Sequence, residues 1–281
     1  MPTQRSVWAY HWPGFESGHP HREREILQAL RDAAFRIQHK PIPAMPVPDA
    51  PEMLPVGGVP LLSWRGSAGA SGYDIQRAPA PGGPWQTIAE NVSDASVAYR
   101  PLFSDTKVKV GDSVCYRVSA RNASGQSLPS NVAGPIRVRG LCFVDELADL
   151  SQAYAKSSGL SLDNEYNSIY AEYLYRARGV PGEWIVYRVP GPVQSFRVAA
   201  WLTNMVEDLG FAVSEDGQAF TPVSVERHEQ QFAPVPLGPA AGKRSTLVDY
   251  TSSTAITNGA SHFKIQWHGP AALDRVEIYY R

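Results

Sequence analysis

Val110-Gly111-Asp112-Ser113-Val114-Cys115-Tyr116-Arg117-Val118-Ser119-Ala120-Arg121-Asn122-Ala123-Ser124-Gly125 is the stretch on which the fold turns. Its centre, Tyr116 to Ala120, alternates with period two, as a strand with one buried face does. Val110-Gly111-Asp112 is a turn signal before it, and Asn122-Ala123-Ser124-Gly125 is another after it. The pattern recurs upstream. Leu61-Leu62-Ser63-Trp64 is strand-like, Tyr73-Asp74-Ile75-Gln76-Arg77 alternates, and Pro81-Gly82-Gly83-Pro84 marks a turn. Short strands at this spacing predict an antiparallel β-sandwich over residues 52–138.

The whole chain has 281 residues, room for about two domains. Its 24 prolines and 23 glycines are spread throughout, which favours many turns and short strands. A net charge of −1 gives no electrostatic footing for nucleic acid or an anionic membrane surface. No apolar run approaches the ~20 residues that span a bilayer. Cys115 and Cys142 are too few for a disulfide framework or a zinc site. Each lies in a strand-like run, so buried free thiols are expected.

Residues 1–40 differ in character. Trp8-Ala9-Tyr10-His11-Trp12-Pro13-Gly14-Phe15 precedes a segment, residues 21–39, with Ile26, Leu30, Ala33, Ala34 and Ile37 on one helical stripe. Pro41 and Pro43 are placed to stop that helix. A lone helix of this length is marginal in water, so its stripe is expected to stay exposed or to borrow a surface. Residues 41–51 read as a proline-rich linker, extended and stiff. Nothing near Met1 has the hydrophobic segment of a signal peptide.

Residues 140–281 form a second β-rich segment. Its strands are Trp184–Val189, Val193–Trp201, Phe211–Ser214, Phe220–Val223, His262–Trp267 and Leu273–Tyr280. Ser214-Glu215-Asp216-Gly217 is a hairpin turn in which Asp-Gly supplies the positive φ.

Over residues 52–138 the sequence resembles a fibronectin type III domain. The carrying residues include Leu62-Ser63-Trp64, Gly72 to Arg77, Gly83 to Ile88, Gly111 to Asn122 and Gly125 to Asn131. The resemblance makes Trp64 the core tryptophan between the sheets and Tyr116 an inward tyrosine. Residues 140–281 resemble the galactose-binding-like jelly roll of carbohydrate-binding modules, through Val213 to Val223, Phe263 to Trp267 and Leu273 to Ile278. Phe143 to Ser151, running on to Leu160, looks like the opening of such modules in bacterial glycoside hydrolases. The implied fold class is mainly β, two β-sandwiches preceded by one α-helix. Tyr10 to Phe15 with the following helix is similar to the end of a family 5-type (β/α)8 barrel, as in β-mannanases. That resemblance implies an upstream catalytic barrel, a secreted extracellular parent and a β-mannan or β-glucan type polysaccharide partner.

Barrel glycosidases use two carboxylates about 5 Å apart, and no residue here matches either motif, so no catalytic residue is assigned. One reading places His11, Trp12 and Glu16 at the mouth of the parent cleft; the other packs Trp8, Tyr10, Trp12 and Phe15 against the barrel or the fibronectin-like module. His11, His19 and His21 fit no metal-ligand spacing, and no metal or cofactor is assigned. Asp145, Glu146 and Asp149 read as a solvated acidic face, with a structural calcium as the competing reading.

Sugar binding uses aromatic platforms with planar polar groups. The candidates are Tyr166, Tyr170, Arg176, Trp201, Asn204 and His268. Tyr173 and Tyr175 sit at period two and read as a packed strand face. For Tyr166 and Tyr170 both readings stay open. Trp184 and Trp267 fall in alternating runs and read as core. The expectation is a non-catalytic, carbohydrate-binding C-terminal region of a glycoside hydrolase. The alternatives are a structural pair of sandwiches without a sugar ligand and, less favoured, a self-sufficient glycosidase.

Overall fold

The computed structural model describes residues 20–94, 101–163, 170, 175–202, 209–232, 234, 242 and 245–281, with side chains in the helix from Ala29 onward. The aromatic loop Trp8 to Phe15, which contains His11, and His19 lie outside these, and His21 falls in the part of the helix described by its backbone alone. The chain divides into two compact units, Met1–Arg139 and Gly140–Arg281. It is mostly β with one helix among the described residues. That helix is not long and apolar enough to cross a membrane.

Unit 1 opens with α1, Pro20–Ile37. The helix stops before Pro41 is reached. His39 adopts φ 52°. Its N–H bonds Arg36 O at 3.1 Å while Lys40 N–H bonds Phe35 O at 3.0 Å, which caps the last carbonyls. Of the apolar stripe, Leu30 is 44% and Ile37 68% exposed. Ala34 is exposed and Ala33 half-buried. Met45 to Asp49 is tied along the sandwich rather than free of it. Asn122 Nδ2 donates to Pro46 O at 2.7 Å, Ser67 Oγ to Asp49 O at 2.6 Å, and Ser124 Oγ to Met45 O.

The sandwich of unit 1 comprises β1 (Glu52–Met53), β2 (Leu61–Leu62), β3 (Trp64–Arg65), β4 (Gly72–Ala78), β5 (Gln86–Val92), β6 (Phe103–Ser104), β7 (Ser113–Asn122), β8 (Gly125–Gln126) and β9 (Ala133–Arg137). One sheet runs β5-β4-β7-β8 with β9 also on β7, and the facing pairs are β1-β3 and β2-β6. β4 and β7 bury Tyr73, Ile75, Tyr116 and Val118 against Leu62 and Trp64. Trp64 stands 5.3 Å from Tyr73. Tyr116 points inward, as the resemblance implied, and its hydroxyl donates to Asp105 Oδ2 at 3.0 Å. Asp105 is buried. It also accepts from Arg77 Nη1 at 2.7 Å and Lys107 N at 3.0 Å.

Unit 2 is a two-sheet sandwich built from β10 (Leu141–Asp145), β11 (Ala155–Lys156), β12 (Ser161–Asp163), β13 (Arg176–Gly179), β14 (Trp184–Arg188), β15 (Val193–Leu202), β16 (Leu209–Ser214), β17 (Thr221–Pro222), β18 (Val225–Gln230), β19 (Thr246–Ser252), β20 (His262–Trp267) and β21 (Ala271–Tyr280). The larger sheet runs β12-β13-β21-β15-β19-β18 and the smaller β11-β14-β20-β16-β17. β10 and β13 share one edge of β21 end to end. β13 pairs with Ala271 to Leu273, and β10 pairs with Val276 to Tyr280. Between the sheets Phe196 packs on Phe263 at 4.4 Å and on Phe211 at 5.2 Å. Ile185, Tyr187, Val198 and Trp267 fill the same buried core. Cys115 and Cys142 are free and buried, each in its own unit.

Two expectations are corrected here. Trp184 is half-buried on the outer face, because Ile185 and Tyr187 take the inward positions of β14. Of the acidic cluster, Asp149 is exposed and Glu146 half-buried, but Asp145 does not belong to a solvated face. Asp145 is buried, accepting from Leu147 N at 2.8 Å, Gln152 Nε2 at 3.2 Å and Tyr187 Oη at 3.0 Å. Glu146 pairs with Arg275, and Asp149 accepts Ser151 N–H at 2.7 Å.

Candidate functional site

Strand parity builds the site. In β15 the residues Phe196, Val198 and Ala200 face the core, so Arg197, Ala199 and Trp201 face outward. Pairing sets Trp201 opposite Leu247 of β19 and Ala272 of β21. One strand further, Arg178 of β13 lies opposite Ala272 and Ser161 of β12. Arg176 shares that outer face and pairs in register with Asp163. Tyr170, Ala199, Trp201, Leu247 and Ala272 form one buried apolar group on this face.

The polar geometry is specific. The Arg176 guanidinium lies 4.2 Å from the centre of the Tyr170 ring, a cation–π contact. Arg178 Nη2 donates to Tyr170 Oη at 2.9 Å. Asp163 anchors both arginines, with Arg176 Nη2 at 3.6 Å and Arg178 Nη2 closer still. Tyr170 meets Trp201 edge-on at 5.7 Å, and Phe232 lies 5.5 Å from Trp201. Trp201 Nε1–H is buried and has no hydrogen-bond partner among the described residues.

Three of the six candidates therefore come together: Tyr170, Arg176 and Trp201. All three are buried, Tyr170 at 6% and Trp201 at 1% exposure. They form the floor of the corner. Its exposed rim is Arg178 and Phe232, the latter 37% exposed. Neither was singled out from sequence. Arg178 sits in a register position that only the β12–β13 pairing reveals, and Phe232 follows a polar strand. His268 lies apart, exposed beyond the end of β20, with its ring over Gly210. Tyr166 and Asn204 lie outside the described residues, as does Tyr173, while Tyr175 is half-buried just before β13. Among the described residues no group of three or more His, Cys, Asp or Glu is placed to hold a metal ion.

No known protein family's sequence profile matches the chain. The chain is 32% identical over 112 residues, 40% of its length, to an amylopullulanase of Thermoanaerobacterium thermosulfurigenes. The match spans 6% of that relative. Among solved structures, an Fn3-like protein from Clostridium thermocellum aligns with 28% identity and a TM-score of 0.24, over 32% of this chain and 91% of that one. A carbohydrate-binding module from Cellvibrio mixtus lichenase 5A, solved with cellotriose, aligns with 12% identity and a TM-score of 0.30, over 50% of this chain and 96% of that one. These superpositions are loose, and the sandwich architecture is carried by the strand pairing described above.

Proposed function

We propose that the chain is a non-catalytic, glycan-binding region of a modular glycoside hydrolase, with unit 1 as spacer and the outer corner of unit 2 as the sugar site. The observation that carries this reading is the corner itself. A buried indole N–H with no partner among the described residues lies beside an arginine–tyrosine stack, with Arg178 and Phe232 open at the rim. A pyranose ring presents an apolar face to an aromatic ring and hydroxyls to a planar donor fork. Phe232 and Arg178 supply those two functions within one face.

The match to an amylopullulanase supports a glycoside hydrolase parent. A β-mannan or β-glucan type polysaccharide, a family 5-type barrel upstream and an extracellular location belong to the same proposal. They rest on the resemblances of the first forty residues and of the domain order.

Affinity electrophoresis in gels carrying soluble mannan, glucan and other polysaccharides tests it. Retardation is expected, and Phe232→Ala or Arg178→Ala should reduce it by about tenfold, the effect of one lost stacking or charged contact. Unretarded migration across the panel removes the binding role. The burial of Tyr170 and Trp201 favours a second reading, in which the corner only seals the sheet surface. Under that reading Phe232→Ala leaves migration unchanged.

A further inference from the structure

The outer face of the five-stranded sheet of unit 2 has a different chemistry. Register places Lys264 at its centre, between Val186 of β14 and Ala212 of β16. One step along, Gln266 lies between Trp184 and Gly210. Lys264 Nζ is 5.6 Å from the Trp184 ring and 5.6 Å from the Phe220 ring. Both rings and the lysine are half-buried. Ala212 is small beside the ammonium, while the His268 ring covers Gly210 one step along.

No carboxylate pairs with Lys264 among the described residues. The acids near this face are committed elsewhere. Glu183 accepts the Gly159 N–H at 3.1 Å. Asp216 accepts Gln218 N–H at 2.8 Å and Ala219 N–H at 3.0 Å within its own hairpin. An exposed Arg188 adds a second cation at one end of the face. A half-buried ammonium without a counter-charge, between two aromatic rings, attracts an anion that also carries apolar surface.

We propose that this face binds an acidic glycan, a chain bearing uronate carboxylates. The carboxylate accepts from Lys264 Nζ, and the sugar ring stacks on Trp184 or Phe220. The surface lies on the opposite sheet from the Tyr170–Trp201 corner and stands or falls independently of it.

Titration calorimetry of the full chain with oligogalacturonate, cellohexaose and poly-glutamate tests the proposal. Oligogalacturonate is expected to bind, with affinity falling as salt rises. Lys264→Ala should weaken it at least about tenfold, the scale of one hydrogen bond to a charged group. Lys264→Arg should keep most of the binding, and Trp184→Ala should weaken it as well. Phe232→Ala should leave it unchanged, which separates this face from the other corner. The proposal is overturned if oligogalacturonate does not bind, if Lys264→Ala binds it as the wild type does, or if poly-glutamate binds equally well. Loss in Lys264→Arg as complete as in Lys264→Ala also overturns it.

Discussion

Gly179 has room for a hydrogen atom and nothing larger. A Cβ built there would lie 2.7 to 3.0 Å from three atoms of the Trp267 indole. Trp267 cannot retreat, because it is fully buried and its Nε1–H donates to Ala271 O at 3.0 Å. Gly179→Ala should therefore destabilise unit 2 by about 1–3 kcal/mol, the usual cost of overpacking. Urea unfolding measures it. Gly57→Ala, with nothing within 4 Å of its Cβ, is the control and should stay within about 0.5 kcal/mol of wild type. Asp145 gives a pH signature at the same scale. Burial pushes its carboxyl above the ordinary range, against the pull of the Leu147 N–H and the Tyr187 hydroxyl. Ionisation thus costs the folded state more than the unfolded one. The group is neutral in its effect below its unfolded pKa of about 3.9. From there stability is lost as pH rises through the folded value. Asp145→Asn removes the titration and keeps an acceptor for Leu147. Its stability relative to wild type should rise as pH climbs above the unfolded value of about 3.9. A relative stability that falls over that range, measured by denaturant unfolding, would contradict the burial argument.

At the scale of elements, Asp105 locks unit 1 together. It lies just after β6, and through Arg77 and Tyr116 it joins β4 and β7. Asp105→Ala leaves a partly buried guanidinium and a buried hydroxyl without their acceptor. It should cost about 3–5 kcal/mol, as removal of one partner from a buried pair does. Tyr116→Phe deletes one neutral donor and should cost about 0.5–1.5 kcal/mol. Thermal unfolding of both variants checks the ranking. None of this was legible in the sequence, since Asp105 falls in a loop with no pattern of its own. Trp184 fails for another reason. Trp184-Ile185-Val186-Tyr187-Arg188-Val189 has large apolar residues at both parities, with Arg188 as the one polar mark on the Trp184 side, and a single charge at the strand end is a weak sign of which face is inward. The inter-sheet register decides it. Where one parity is polar, as at Lys264 and Gln266 of β20, the core reading of Trp267 holds, with Phe263 and Ile265 buried on the same parity.

At the scale of the whole molecule, alternation and turn residues were enough to mark the β-rich class, because those signals are local, whereas the inward Trp64 and Tyr116 came from the resemblance to a fibronectin type III domain. The candidate corner was half legible. Tyrosine and arginine density drew attention to Tyr170, Arg176 and Trp201, but their burial depends on pairing between strands far apart in sequence. Asp163 and Arg176 meet across β12 and β13, and Trp201 and Ala272 across β15 and β21. The same long-range pairing governs when unit 2 is able to form. β21 is the most interior strand of the larger sheet, yet it holds residues 271–280. On a ribosome, everything from Leu141 onward must wait for it. Until Tyr280 has cleared the exit tunnel, β10, β13 and β15 each expose an unpaired edge, the kind of edge that invites aggregation. Unit 1, whose strands end at Arg137, is free to fold ahead of it, so a polypeptide cut short before residue 271 would leave the ribosome with unit 1 complete and the larger sheet of unit 2 without its central strand.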